Sequence, residues 1–194
     1  MGERIFAGTQ EGLQVWRSLG GAWEEVAVEL AQGTVDAIDG PRSAPGTVYA
    51  SVAGQGLCRS DDGGHHWRTV FQGNVRAVTV DPSDPKVVYV GTEPIELYRS
   101  EDEGKTWEKL SALQQLPQEV RAKWTYPRPP HREHVRHIFV SSNDPENIYV
   151  CLEHLPIPEE MMGEVNVALI IQRRLSGKLG DDKLWLPPGS IGLL

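Results

Sequence analysis

The chain has 194 residues, enough for one large domain or two small ones, and its 39% hydrophobic and 24% charged content is that of a soluble globular protein. A net charge of −8 with no compensating basic stripe excludes a phosphate-backbone binder, so no nucleic-acid partner is expected. No run of about 18 apolar residues is present, so no membrane-spanning helix is expected.

The opening MGERIFAGTQEGLQVW has no basic region followed by an apolar one, as a secretory signal requires. Position 6 is Phe where a myristoylation start needs Ser or Thr, so the expected localisation is cytoplasmic. Cys58 and Cys151 are too few for a disulfide framework and read as buried thiols.

Taken in chain order, the sequence repeats itself. RIFAGTQEGLQVWRS at 4–18, TVYASVAGQGLCRS at 47–60 and VVYVGTEPIELYRS at 87–100 superpose, and NIYVCLEH at 147–154 begins a fourth copy. The aromatic anchors Phe6, Tyr49, Tyr89 and Tyr149 lie 43, 40 and 60 residues apart, so the third unit carries an insertion of roughly twenty residues. A second element precedes each later copy: TVDAIDG at 34–40, VRAVTVDPSDP at 75–85 and VRHIFVSSNDP at 135–145.

Each unit reads as four short strands. The first alternates apolar and polar residues and stops at Asp-Pro, because proline lacks a ladder donor. The second, such as VVYVGT, is a β-branched run suited to burial on both faces. The third is LYRS or LCRS, and the fourth starts at Trp. Short strands at a period near forty predict an all-β propeller. The expected blade pieces are 1–33, 34–73, 74–133 and 134–154, with 155–194 an irregular tail. The first piece starts at a second strand and so lacks its innermost one.

Between the third and fourth strands, LCRSDDGGHHW at 57–67 and LYRSEDEGKTW at 97–107 share the pattern S-x-D-x-G-x-x-W. It is met by Ser60, Asp62, Gly64 and Trp67, and again by Ser100, Asp102, Gly104, Thr106 and Trp107. The need is local: the Asp accepts backbone N–H bonds, the Gly supplies positive φ, and the Trp anchors the returning strand. A structural turn explains the pattern better than a catalytic acid pair, and His65 and His66 read as exposed turn residues. The 4–23 copy keeps Ser18 and Trp23 but lacks the Asp.

These segments resemble the Asp-box, or bacterial neuraminidase repeat, of sialidase-like propellers. The resemblance implies box turns on the face away from the ligand. The opposite face then carries the loops between strands two and three and those joining one blade to the next. It is expected to include Gln10, Glu11, Ala53 to Gln55, Glu93, Pro94, Glu153, His154 and the insertion 111–134. The insertion's tail, KWTYPRPPHREHVRH, groups aromatic and guanidinium side chains that suit a sugar ring or an anion. Uncharacterised bacterial sialidase-like and glycosyl-hydrolase-like members carry a similar segment here. The candidate ligand-binding residues are Arg76, Glu93, Trp124, Tyr126, Arg128, His131, His134, Arg136 and Glu153.

For a sialidase the resemblance implies an arginine cluster, a Tyr nucleophile with a Glu partner, and an acidic proton donor. Arg76 and Arg136 supply two arginines, and Tyr126 with Glu93 supplies the pair. No motif marks the third arginine or the donor, and the catalytic residues are not identified. His131, His134 and His137 do not fall on one face of a strand, so no metal or other cofactor is expected.

Beyond His154 the repeat loses its spacing. NVALIIQRRL can form a strand, Trp185 echoes a fourth-strand Trp, and GKLGDDKLW faintly echoes a box. Either the tail closes the gap in the first blade through VNVALII, or it comes from an altered frame and leaves open edges that favour self-association. The expected architecture is therefore a partial propeller of three to four blades with an irregular C-terminal region. Two functions compete. One is a propeller that binds a carbohydrate or other ligand at the face bearing 111–134, extending to an exo-sialidase-like glycoside hydrolase. The other is a non-catalytic protein-interaction scaffold like the photosystem-assembly and sortilin-type members.

Overall fold

Runs of Val, Tyr and Thr too short for a helix, each bounded by Gly, Pro or Asp, produce fifteen strands and one four-residue helix among the described residues of the computed structural model. The structure describes residues 3–121, 133–153, 167–172 and 183–185. Four antiparallel sheets form. The first holds β1 (Arg4–Thr9), β2 (Gly12–Leu19) and β3 (Ala22–Glu29). The second holds β4 (Val35–Asp39), β5 (Val48–Val52), β6 (Gly56–Ser60) and β7 (Arg68–Phe71). The third holds β8 (Val75–Val80), β9 (Val88–Thr92), β10 (Leu97–Ser100) and β11 (Glu108–Leu110). The fourth holds β12 (His134–Ser141), β13 (Asp144–Glu153), β14 (Val167–Gln172) and β15 (Lys183–Trp185). Each sheet is a blade with strands in chain order, and β4, β8 and β12 line a central channel. The fold is a partial β-propeller.

Among the described residues the first blade has no strand inside β1, as its sequence predicts, and β1 pairs only with β2. Among the described residues the tail does not fill that gap. β14 pairs with β13 from Asn147↔Gln172 to Leu152↔Val167, and β15 pairs with β14, so the segment expected as a closing strand is the third strand of blade four. Pairing with the preceding strand closes a shorter loop than reaching back to β1, which costs less chain entropy. Trp185 ends the fourth strand opposite Ile170, so it holds the register of Arg68 and not that of Trp67, which its repeat echo implied.

Burial follows the strand types. All five residues of β5 and of β9 are buried, as a strand covered on both faces requires. The core is divided among the seams between blades. Leu13, Val35, Ala50 and Val52 join blades one and two, with Phe6 and Trp67 against them. Tyr49, Leu57, Val78 and Val88 join blades two and three. Tyr89, Leu97, Ile138 and Val150 join blades three and four. The insertion contributes here: Ala112, Leu113 and Leu116 are buried in this last cluster, ahead of α1 (Gln118–Arg121). These three residues of the insertion are therefore core rather than ligand-facing loop.

The recurring box turns are built as their composition predicts. Ser100 Oγ accepts the buried Gly104 N–H at 2.8 Å and donates to Asp102 Oδ1 at 2.8 Å. Asp102 Oδ1 also accepts the N–H groups of Lys105 and Thr106 at 3.0 and 2.8 Å. Ser60, Asp62 and Gly64 repeat this arrangement, with His65 and His66 as the donors to Asp62. His65 and His66 are exposed.

Both turns face the preceding blade. Trp107 Nε1 donates to Val70 O at 2.8 Å, and its ring meets Phe71 edge-on at 5.3 Å. The carbonyl of Glu103, at φ 64°, accepts Arg59 Nη1 at 2.5 Å and Tyr49 Oη at 3.0 Å from blade two. The carbonyl of Gly63, at φ 75°, accepts Arg4 Nη1 at 2.8 Å from blade one. One carbonyl per box turn thus latches one blade to the next.

Two consequences are measurable. A Cβ on Gly91 would stand 2.4 Å from Val135 Cβ across the seam of blades three and four. Gly91→Ala is expected to cost about 1–3 kcal/mol, read as a lower urea midpoint at unchanged slope. The Thr106 and Lys105 donors, with Ser100, hold the Asp102 carboxyl down from 3.8 to about 2. A depressed carboxylate stabilises the folded state above its unfolded value and loses that contribution as pH falls through the folded one. Asp102→Asn is therefore expected to flatten the acid limb of stability between about pH 4 and pH 2, followed by thermal denaturation across that window.

Candidate functional site

Arg76 stands at the second position of β8 because the ladder skips it. The pairing of β8 with β9 shifts between Val75 and Ala77, the pairing of β4 with β5 between Val35 and Ala37, and that of β12 with β13 between Val135 and His137. These three bulges set Asp36, Arg76 and Arg136 outside the ladder register at one position of the repeat. A bulge re-aims the side chain it carries and is favoured beside functional sites. All three residues line one cleft at the channel mouth, on the face opposite the box turns.

The mouth carries an ionic network. Arg76 Nη1 donates to Asp36 Oδ2 at 2.9 Å, and Arg76 Nε lies 3.5 Å from Glu93 Oε2. Glu93 follows β9, and its N–H donates to Asn74 O at 2.9 Å, which fixes its loop against the start of β8. The pair joins blade two to blade three and is partly buried, with Glu93 at 10% side-chain exposure. The cleft measures about 410 Å³, and His137, Thr79 and Phe139 complete its lining.

The far mouth differs. There a cleft of about 350 Å³ is lined by Arg42, Asp81, Pro82 and Pro85. Asp39, between the two mouths, accepts N–H bonds from Val80 and Gly40 at 2.7 and 2.8 Å. Burial raises its carboxyl above the ordinary value and those two donors pull it back. This carboxylate serves the seam.

Of the residues singled out in the sequence, the structure brings Arg76, Glu93 and Arg136 together. His134 is buried at the start of β12, where it pairs with Glu153 in the ladder, and it does not line the cleft. Trp124, Tyr126, Arg128 and His131 lie outside the described residues. Sequence reasoning missed Asp36 and His137. Asp36 was recoverable, because TVDAIDG aligned on VRAVTVDP sets it opposite Arg76. Among the described residues, no group of three or more His, Cys, Asp or Glu side chains is arranged to hold a metal ion.

No protein-family model and no curated protein matches the chain. Solved structures do. A GH74 enzyme from Niastella koreensis superposes with TM-score 0.61 at 17% identity over 96% of this chain and 28% of its own. An ancestral GH74 enzyme gives 0.58 at 18% identity over 96% and 24%. The GH74 xyloglucanase from Xanthomonas campestris gives 0.55 at 19% identity over 87% and 27%. The chain spans about a quarter of the length of these structures, and identities this low show the fold, a β-propeller.

Arg76 is the cation that Asp36 and Glu93 share. Arg76→Met is expected to cost about 1–3 kcal/mol at neutral pH, since two partly buried carboxylates lose one counter-charge. Urea denaturation of the two proteins at neutral pH measures the difference.

Proposed function

We propose that this chain is a ligand-binding propeller of the sialidase-like, Asp-box type that holds a carbohydrate at the channel mouth without hydrolysing it. The observation that carries the reading is the set of three aligned bulges presenting Asp36, Arg76 and Arg136 to one cleft. Two arginines meet three carboxylates there, counting Asp39 and Glu93, so the mouth offers fixed donors and acceptors with little net charge. That chemistry suits a polyhydroxylated neutral ligand better than a polyanion. The cleft volume of about 410 Å³ is within the size range of small-ligand sites.

Binding is favoured over hydrolysis because Asp36 and Glu93 bond the same guanidinium. Neither is an isolated acid of the kind that protonates a leaving-group oxygen. The same turns and loops support the sialidase-like affiliation, whereas the third arginine and the acid donor of that machinery have no counterpart at the described mouth.

The test is a glycan array followed by calorimetry on the hit, with Arg136→Gln at the mouth and Arg42→Gln at the far mouth as the control. The expected result is binding that Arg136→Gln weakens at least tenfold and Arg42→Gln leaves alone, with no reducing ends released. Equal loss in both variants, or glycan cleavage, overturns the reading.

A further inference from the structure

Blades two to four share one register along their innermost strands, and at the channel wall blade four departs from it in residue type. The pairs Asp39↔Tyr49, Thr79↔Tyr89 and Phe139↔Tyr149 mark a single repeat position, held by Asp39, Thr79 and Phe139. All three residues line both the mouth cleft and the far cleft, so the position faces the channel in each of these blades. Together they form the waist between the two mouths.

Two of these side chains are committed to the seams. Asp39 accepts the N–H groups of Val80 and Gly40 at 2.7 and 2.8 Å, and Thr79 Oγ1 donates to Ile138 O at 2.7 Å. Phe139 has no polar atom to commit. Its ring lies 6.0 Å from that of Tyr149, yet the residue stays 57% exposed. A phenyl ring held in water at a channel wall gains by covering its face with a ligand.

The same strand supplies polar groups beside the ring. His137 stands two residues from Phe139 on one face of β12, and Arg136 precedes it at the bulge. His137 Nδ1 lies 3.3 Å from Arg136 O. A carbonyl only accepts, so Nδ1 carries the proton there and Nε2 is an acceptor. The register positions of His137 in blades two and three hold Ala37 and Ala77, which also line the cleft. Blade four alone thus presents a cation, an acceptor and an aromatic ring, spread over about 10 Å of strand.

We infer, resting on the carbohydrate reading above, that Phe139 is the platform on which a pyranose ring stacks while Arg136 and His137 bond its hydroxyl groups. The face of a phenyl ring is electron-rich and attracts C–H groups, so it selects a sugar face free of hydroxyls. A β-glucopyranoside has every ring substituent equatorial, and both of its faces carry C–H groups alone. An open-chain polyol has similar hydroxyls and no such face. Phe139 is on this account the residue that separates a sugar ring from a mere polyol.

Saturation-transfer NMR with methyl β-D-glucopyranoside, and with sorbitol as the control, tests this on the full chain and on Phe139→Leu, Phe139→Trp and Arg136→Gln. Leucine keeps the position apolar and removes only the ring, and circular dichroism checks that each variant folds. The expected result is transfer concentrated on the axial protons of one glucoside face, with little to sorbitol. Phe139→Leu should weaken binding about two- to tenfold and level the pattern, whereas Phe139→Trp keeps both. Glucoside binding that Arg136→Gln weakens and Phe139→Leu leaves unchanged overturns the stacking role while the carbohydrate reading stands. Equal transfer to sorbitol, or none to the glucoside beside a positive glycan array, also overturns the stacking role alone. No transfer and an empty array overturn both.

Discussion

A single backbone carbonyl in each box turn latches blade two to blade one and blade three to blade two. Glu103 and Gly63 adopt positive φ, and that conformation turns their C=O groups out of their own blade toward the one before. The serine and aspartate beside them bond the turn's own N–H groups, so the carbonyl is left for an arginine of the neighbouring sheet. Arg59 shows what the latch requires. Its side chain is 7% exposed, and Asp61, Glu103 and the Tyr49 ring surround it. Those partners, placed on both sides of the seam, compensate the burial of its charge. Blade spacing, seam packing and the width of the channel all follow from sheets held at that separation.

The latch and the candidate site lie at opposite ends of the same blades. At the box end the strands are closed by local turns whose polar groups bond each other. At the other end three innermost strands each carry a bulge, and the displaced residues Asp36, Arg76 and Arg136 belong to different blades. A rigid seam is what lets residues from separate sheets meet within hydrogen-bonding distance, as Arg76 and Asp36 do. Variation at the bulge position is cheap for the fold, because the ladder does not use that residue. The repeat therefore tolerates Asp in one blade and Arg in the next, and this tolerance lets a propeller mouth acquire chemistry.

How much of this is legible in the sequence depends on whether a residue has a repeat partner. The box turns were, since Ser60 to Trp67 and Ser100 to Trp107 match position by position and their hydrogen bonds are local. The blade-one latch was not: Arg17 is the repeat counterpart of Arg59, yet Arg4 on the neighbouring strand reaches the carbonyl. Asp36 went unnoticed because its opposite charge hid its equivalence to Arg76. Whether VNVALII closes the first blade stays open in the sequence because VALIIQ has neither the Arg-Ser ending nor a following box, and apolar periodicity does not name a strand's partner. The buried start of the insertion was hidden for a similar reason. Ala112, Leu113 and Leu116 have no counterpart in shorter blade connections, and their burial depends on the fourth sheet.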